Sequence, residues 1–397
     1  MLSLRPITYR LLRTFGLNRD TLDEIAVERW EIAPAEVISV PPAIILPGQT
    51  ERITRTEFAS LDHVIRSLAG NPAERFGPTM AYRLRDVDVV DGALYSAGLS
   101  MYLRARKRHL PLPARPEHRV SGSLYETWNG NRWFGNWLLD DCLSYRLAEA
   151  TGGPVTTMPC KGHVPRYEKL LNMTPDRIGD AHFDELIVFA DYANNSHRRA
   201  RAQDMRHRLL QGRTPQPNPG VFLLRSRSGD LAQRRKPRDH AGVVDQRKGR
   251  EGRCALRLQM LAQALADGAC VDEVRAPDLR VLENEQEIAE RLAHERGFRV
   301  MFPEDHSVDE LMDACGGARV IAGIEGSQLN HGIAVMPPGG TLFTIQPANR
   351  ATTAMKLLSD RWQQRFAMVV GHGVAESFRV EWDDIARTLD RIESEAA

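Results

Sequence analysis

ARVIAGIEGSQLNHGIAVMPPGGTLFTIQP, from Ala318 to Pro347, is the stretch on which the fold turns. Its apolar run Val320, Ile321 and Ala322 reads as a buried strand leading into a turn at Gly323, Gly326 and Ser327. A helix-compatible stretch with Gln328, Asn330 and His331 follows, then a break at Pro337 to Gly340, then a second buried strand over Thr341 to Ile345. Strand, glycine turn, helix start, break and strand make a βαβ unit. Ligands of such units bind at the carboxyl end of the first strand, where glycines admit an anion to backbone N–H groups and a hydroxyl such as that of Ser327 adds a donor. The same glycines also serve a plain strand-to-helix turn. The polar set Glu325, Ser327, Gln328, Asn330 and His331 is what marks this corner as a site.

Outward from that unit, Glu283 to Glu295 and Val308 to Cys315 read as helices and Arg299 to Phe302 as a strand, the alternation of a doubly wound parallel sheet. Val221 to Leu224 opens this half with a strand ending at Arg225, and TPQPNPG, residues 214–220, is the best interdomain linker. A charged, glycine-spotted insertion occupies about 229–280. Before the linker come a polar, arginine-rich helix over Asn195 to Arg213, a strand at Leu186 to Ala190, and helical patterns at Phe134 to Ala150 and Tyr167 to Leu171. Asp86 to Tyr95 reads as two short strands around an Asp91-Gly92 turn.

The chain has 397 residues, 42% hydrophobic and 26% charged, enough for two ordinary cores. A net charge of +1 argues against a nucleic-acid binder. Five widely spaced cysteines form neither a disulfide framework nor a zinc cluster, and no signal peptide or spanning segment is read, so a reducing cytoplasm is expected. Residues 1–17 mix Leu4, Ile7, Leu11 and Phe15 with Arg5, Arg10 and Arg13, a pattern that suits either peripheral contact with an anionic membrane or a helix packed on its own domain. Asp86-Val87-Asp88 is a D-x-D triplet, but it precedes any nucleotide-binding unit and reads as structural. The histidines show no metal-ligand spacing, so no protein-held metal is expected.

Three segments in order resemble glycosyltransferase family 61, the inverting enzymes that include capsular-polysaccharide transferases. NRWFGNWLLDDCL (Asn131 to Leu143) is similar to the family's N-x-x-H-W-L-x-D-x-L-P at Trp137, Leu138 and Asp140. VFLLRSR (Val221 to Arg227) is similar to its strand ending in S-R or R-R. The third segment runs from Asn284, Glu285 and Glu287 through Gly297, Phe298, Pro303 and Glu304 to Gly326, Ser327, Leu329, Pro338 and Gly339. Asn136 stands where many members carry histidine, Glu325-Gly326-Ser327 where many carry H-G-A, and Leu143-Ser144 where proline and arginine are usual.

The resemblance implies an α/β, GT-B-like fold of two Rossmann-like domains facing across a cleft. Residues 1–214 would form the acceptor side and 215–375 the nucleotide-sugar side, while 376–397 would be a helix packing back on the first domain. The implied reaction is inverting and metal-independent. It moves a sugar from a nucleotide-diphosphate donor to a glycan or lipid-linked acceptor in capsular or surface polysaccharide synthesis, and the donor is a substrate rather than a cofactor. A retired scaffold subunit of a polysaccharide assembly complex is the alternative. Without a metal, cations and backbone dipoles must neutralise the diphosphate. Arg225 and Arg227, with Gly323, Gly326, Ser327, Gln328 and Asn330, are the expected donor-binding residues, guanidinium being the natural bidentate partner of phosphate. The base is expected at Asp140, beside tryptophans on the opposing domain, with Glu325 as the alternative. Adjacent Asp141 points about 100° away, so only one of the two aspartates can face the cleft.

Overall fold

The computed structural model describes residues 3–19, 21–104, 115–225 and 280–395. They form an α/β structure with two large sheets. In the C-terminal half, β11 (Val221–Leu223), β12 (Arg299–Met301), β13 (Val320–Ile324), β14 (Thr341–Pro347) and β15 (Arg365–Val374) run parallel in the order β12-β11-β13-β14-β15. A short antiparallel strand β16 (Ser377–Arg379) closes the edge. Strands β13 and β14 are buried at every residue, as a sheet covered on both faces requires.

The N-terminal sheet departs from the all-parallel expectation. Its long strand β4 (Thr79–Val90) runs antiparallel to β10 (Ala181–Ala190) and turns back through β5 (Ala93–Ser96) and β6 (Leu99–Tyr102) as a meander. The Asp91-Gly92 turn joins β4 to β5 as read, with both residues at positive φ (48° and 76°) and Val90 opposite Ala93. On its other side β10 pairs in parallel with β7 (Arg119–Leu124), and β8 (Pro154–Thr156) continues from β7. The sheet is therefore mixed.

Helices appear where the periodicity placed them. The Ser196–Leu209 helix starts at Asn195, whose side chain accepts from the Arg198 N–H. Val308–Cys315 carries a capping box from Ser307 and Glu310. The segment after Phe134 is less regular: Trp137–Asp141 is wound as a π-helix before the Cys142–Thr151 α-helix begins. Such bulges favour functional sites, and this one aims adjacent aspartates in different directions.

The two halves share a core. One apolar cluster runs from Trp137, Tyr145, Tyr167 and Met205 to Leu311, Ile333, Trp362 and Phe366. Arg166 adds a two-pronged bond to Asp309 across the halves, at 2.7 and 2.6 Å. Chain order and spatial order also part company near the N-terminus. Ile44 pairs with Ala367 beside β15, and the Thr54 N–H donates to the Ala348 carbonyl. In the last helix, Trp382–Ser394, Ile385, Leu389 and Ile392 cover the outer face of the C-terminal sheet with Phe343, Val369 and Phe378. Ile44 of the N-terminal segment belongs to the same apolar cluster, and Arg52–Asp384 and Arg391 to the Ile45 carbonyl add polar contacts to that segment.

Candidate active site

A cavity of about 840 Å³ lies between the halves. Carboxyl ends of strands from both sheets reach it: Leu124 and Glu126 after β7, Val188 to Asp191 at β10, Glu325 to Ser327 after β13, and Arg350 after β14. Parallel strands place ligands at these ends.

On the C-terminal side, arginines gather around Glu325. Its buried carboxylate pairs with Arg280 and, at 3.2 Å, with Arg350 through the same oxygen, Oε2. Arg225 donates from Nη1 to the Glu325 carbonyl (3.2 Å), and its backbone N–H donates to Glu285 (2.8 Å). Burial, then the neighbouring charge of Arg280, brings the Arg225 guanidinium down to about 10, with Glu325 pulling the other way and Arg350 adding to the fall. Three crowded guanidinium groups at strand ends are a ready seat for a polyanion. Gly326 has to be glycine here, since a Cβ would lie 2.1 Å from Arg225 Nη1. Arg280 and Arg350 line the cavity together with Gly326, Ser327 and Asn330.

On the N-terminal side, Asp140 lines the cavity. Its Oδ1 accepts from Arg198 (2.8 Å) and Arg361 (2.9 Å), and its Oδ2 from the Asn136 amide (2.9 Å). Two guanidinium groups therefore stand where an apolar, tryptophan-lined setting was expected. Behind it, Asp191 accepts from Arg201 at 2.8 and 2.7 Å and from Ser144 at 2.9 Å. Burial alone would raise the Asp191 pKa, but Arg198 and Arg201 override it and hold the group well below the usual carboxylate range. Arg361, fully buried, also donates to the Leu139 carbonyl (2.6 Å) and to Asn194 (2.9 Å).

The remaining expected residues divide. Asp141 is turned away from the cavity and buried, accepting from the Thr127 N–H and hydroxyl at 3.1 and 2.8 Å. Burial pushes its pKa well up. Its partner Thr127 caps the Trp128–Arg132 helix, so Asp141 braces that helix and does not reach substrate. Gln328 folds back to donate to the Ile324 carbonyl. Gly323 is buried within β13, where a Cβ would lie 2.6 Å from the Leu223 carbonyl, so it serves close strand packing. Arg227 and the insertion up to residue 279 lie outside the described residues. Ser327 opens a three-residue 3-10 turn and not a long helix, which leaves little dipole to offer an anion.

Asn330 joins the halves. Its Nδ2 occupies the space above Gly135, 1.7 Å from where a Cβ would stand. Its Oδ1 is buried with no hydrogen-bond partner among the described residues, an acceptor waiting for a hydroxyl. His331 is structural: Nδ1 meets the Tyr167 hydroxyl at 2.7 Å and the ring stacks on Phe134, centroids 4.9 Å apart. Asp88, of the D-x-D triplet, is bound by His182 (2.8 Å) and Arg5 (2.8 Å) within the N-terminal sheet.

Arg198, Arg280, Arg350 and Arg361 escaped the sequence reading. Arg280, Arg350 and Arg361 are lone arginines without a motif, Arg198 is one of several in an arginine-rich helix, and only Arg350, just past an apolar strand, carried a signal comparable to that of Arg225.

The described residues form an α/β structure with an arginine-lined cavity between its halves. Residues 275–343 match the family model Glycosyltransferase 61, which covers Arg280, β12, β13 and the glycine turn and supports a glycosyltransferase. No curated protein matches the chain.

Proposed function

We propose that this protein is an inverting glycosyltransferase of GT-B arrangement that uses a nucleotide-diphosphate sugar and lets arginines, not a metal, neutralise the diphosphate. The observation that carries this is the pair Arg280 and Arg350 on the cavity wall, with Arg225 behind them against Glu325, across the cavity from Asp140. The guanidinium groups hold the diphosphate oxygens, and Asn330 and Ser327 take sugar or ribose hydroxyls. The acceptor oxygen attacks the anomeric carbon from the opposite side. As that C–O bond forms, the bond to the diphosphate breaks, its electrons pass to the leaving group, and the acceptor proton goes to a base. Glu325 stands among the phosphate-binding cations, on the leaving-group side, so Asp140 suits the base better. Synthesis of a surface or capsular polysaccharide at the cytoplasmic side follows from the family resemblance. No feature of the site favours a retired scaffold.

Calorimetry with UDP, GDP, CDP and dTDP, with and without EDTA, tests the reading. Binding of one base type, unchanged by EDTA and weakened by about 1.5–3 kcal/mol in Arg350→Ala, is expected for loss of a charge-assisted contact. No binding of any diphosphate, or equal binding by Arg280→Ala and Arg350→Ala, would refute it.

A further inference from the structure

The Arg5–Thr14 helix is amphipathic the wrong way round. Its inner side is tied down: Arg5 pairs with Asp86 and Asp88, Pro6 is buried, and Leu12 meets the Gly98 turn. Leu4, Leu11 and Phe15, spaced seven and four residues apart, share the outer side and are 65%, 55% and 73% exposed. Leu17, 66% exposed, extends the patch. A folded protein seldom leaves large apolar side chains grouped in water unless something covers them. Residues 3–19 contain four arginines and no acidic residue, and Arg10, Arg13 and Arg19 are exposed around the patch. Protruding apolar side chains among exposed arginines match the headgroup layer of an anionic bilayer, although Asp23 and Glu24 follow close by in the chain. Among the described residues no helix is long and apolar enough to cross a membrane, so this would be contact from one side.

The cavity adds an independent observation. The helix packs over β5 and β6, and Leu99 and Met101 of β6 line the cavity. Arg13 and Leu22 belong to the same wall, which continues through Leu124 and Val188 toward Asp140. Such a wall can take a hydrocarbon chain out of water. Resting on the glycosyltransferase reading, we propose that the acceptor is an amphiphile drawn from an anionic membrane surface: the Leu4–Leu11–Phe15 face lies in the headgroups, and the acceptor's chain enters the apolar part of the cavity.

Two measurements on the full chain test this. In flotation with vesicles, the protein should bind phosphatidylcholine mixed with phosphatidylglycerol and not phosphatidylcholine alone, and salt should weaken that binding. Each of Leu11→Asp and Phe15→Asp should weaken it roughly tenfold. Equal flotation of the double variant, or none by the wild type, overturns the proposal. So does a wild-type dimer that the double variant converts to monomer, which would make the face a contact between copies. In calorimetry below micelle formation, dodecyl phosphate should bind more tightly than inorganic phosphate, and Met101→Gln, which adds polarity without charge, should remove most of that difference. Equal binding of the two probes overturns the acceptor assignment. Nucleotide-diphosphate binding, measured on the Leu11 and Phe15 variants, should not change, so failure here is distinguishable from failure of the glycosyltransferase reading.

Discussion

Two charged clusters face each other across the cavity, and both are built from buried arginines and carboxylates. In the cluster around Asp140 and Asp191 the carboxylates are well held: Arg201 meets Asp191 with two bonds, and Arg361 is shared among Asp140, Asn194 and a backbone carbonyl, while Arg198 Nε and Nη1 and Arg201 Nε are buried with no hydrogen-bond partner among the described residues. In the cluster around Glu325, Arg280 and Arg350 share a single carboxylate oxygen, and Arg225 Nη1 donates to the backbone carbonyl of that residue. Burial, with the charge of Arg280 adding to it, weakens the hold of Arg225 on its own proton there. The first cluster sets two aspartates among its guanidinium groups, and the second sets two of its arginines on one carboxylate oxygen.

That contrast can be broken experimentally. Asp191→Ala leaves Arg198 and Arg201 buried beside a lost carboxylate and should cost about 3–5 kcal/mol of stability, measured by urea unfolding. Arg350→Ala should change stability by only about 0.5 kcal/mol, since it relieves crowding as it removes a contact, even though it weakens nucleotide binding. Equal losses in both variants would erase the distinction between the clusters.

Asp140→Asn sharpens it, because Asp140 belongs to the aspartate cluster and also faces the cavity. Turnover should fall by roughly 100-fold while nucleotide affinity holds, with release of nucleotide diphosphate as the readout. Glu325→Gln should instead weaken nucleotide affinity. Normal turnover in Asp140→Asn with none in Glu325→Gln would move the base to the C-terminal side.

The smallest effect concerns pH. Burial, with His163 adding to it, brings His331 down to about 3. Its pKa in the unfolded chain is about 6.5, so the folded state binds fewer protons between these values. The stability it contributes is complete above about pH 6.5 and is lost progressively as pH falls. His331→Phe should therefore flatten the decline of Tm between about pH 6.5 and 5. The carboxylate pairs act in a lower window: Asp309, held at about 2 by Arg166 and Arg213, loses its contribution only as pH falls below about 4.

The C-terminal sheet was readable because each of its strands is a short apolar run closed by glycine, proline or charge, as in Val320 to Gly326. The hairpin at Asp91-Gly92 was readable for the same local reason. The parallel and antiparallel mixture of the first sheet was not, since β10 pairs with β4 and β7 from far along the chain and no local pattern records a partner. Of the site, Arg225, Ser327, Asn330 and Asp140 came from position in a motif. Arg280, Arg350 and Arg361 come together around Glu325 and Asp140 only through convergence from separate loops and helices, which a lone arginine in a sequence does not announce. Asn136, read as a departure from histidine, holds the Asp140 carboxylate.

The shared core makes the loop at residues 214–220 deceptive. It has the composition of a dispensable hinge, and a protease could nick it with little harm. Separate expression of the two pieces is another matter, because Trp137 and Tyr167 in one fragment and Ile333 and Trp362 in the other would each face water. Neither fragment should be soluble alone, and co-expression should restore a nicked but complete molecule. The halves of this protein are two sides of one folding unit, and any genetic fusion or rearrangement that exchanged one for a foreign counterpart would have to carry the matching face of the other.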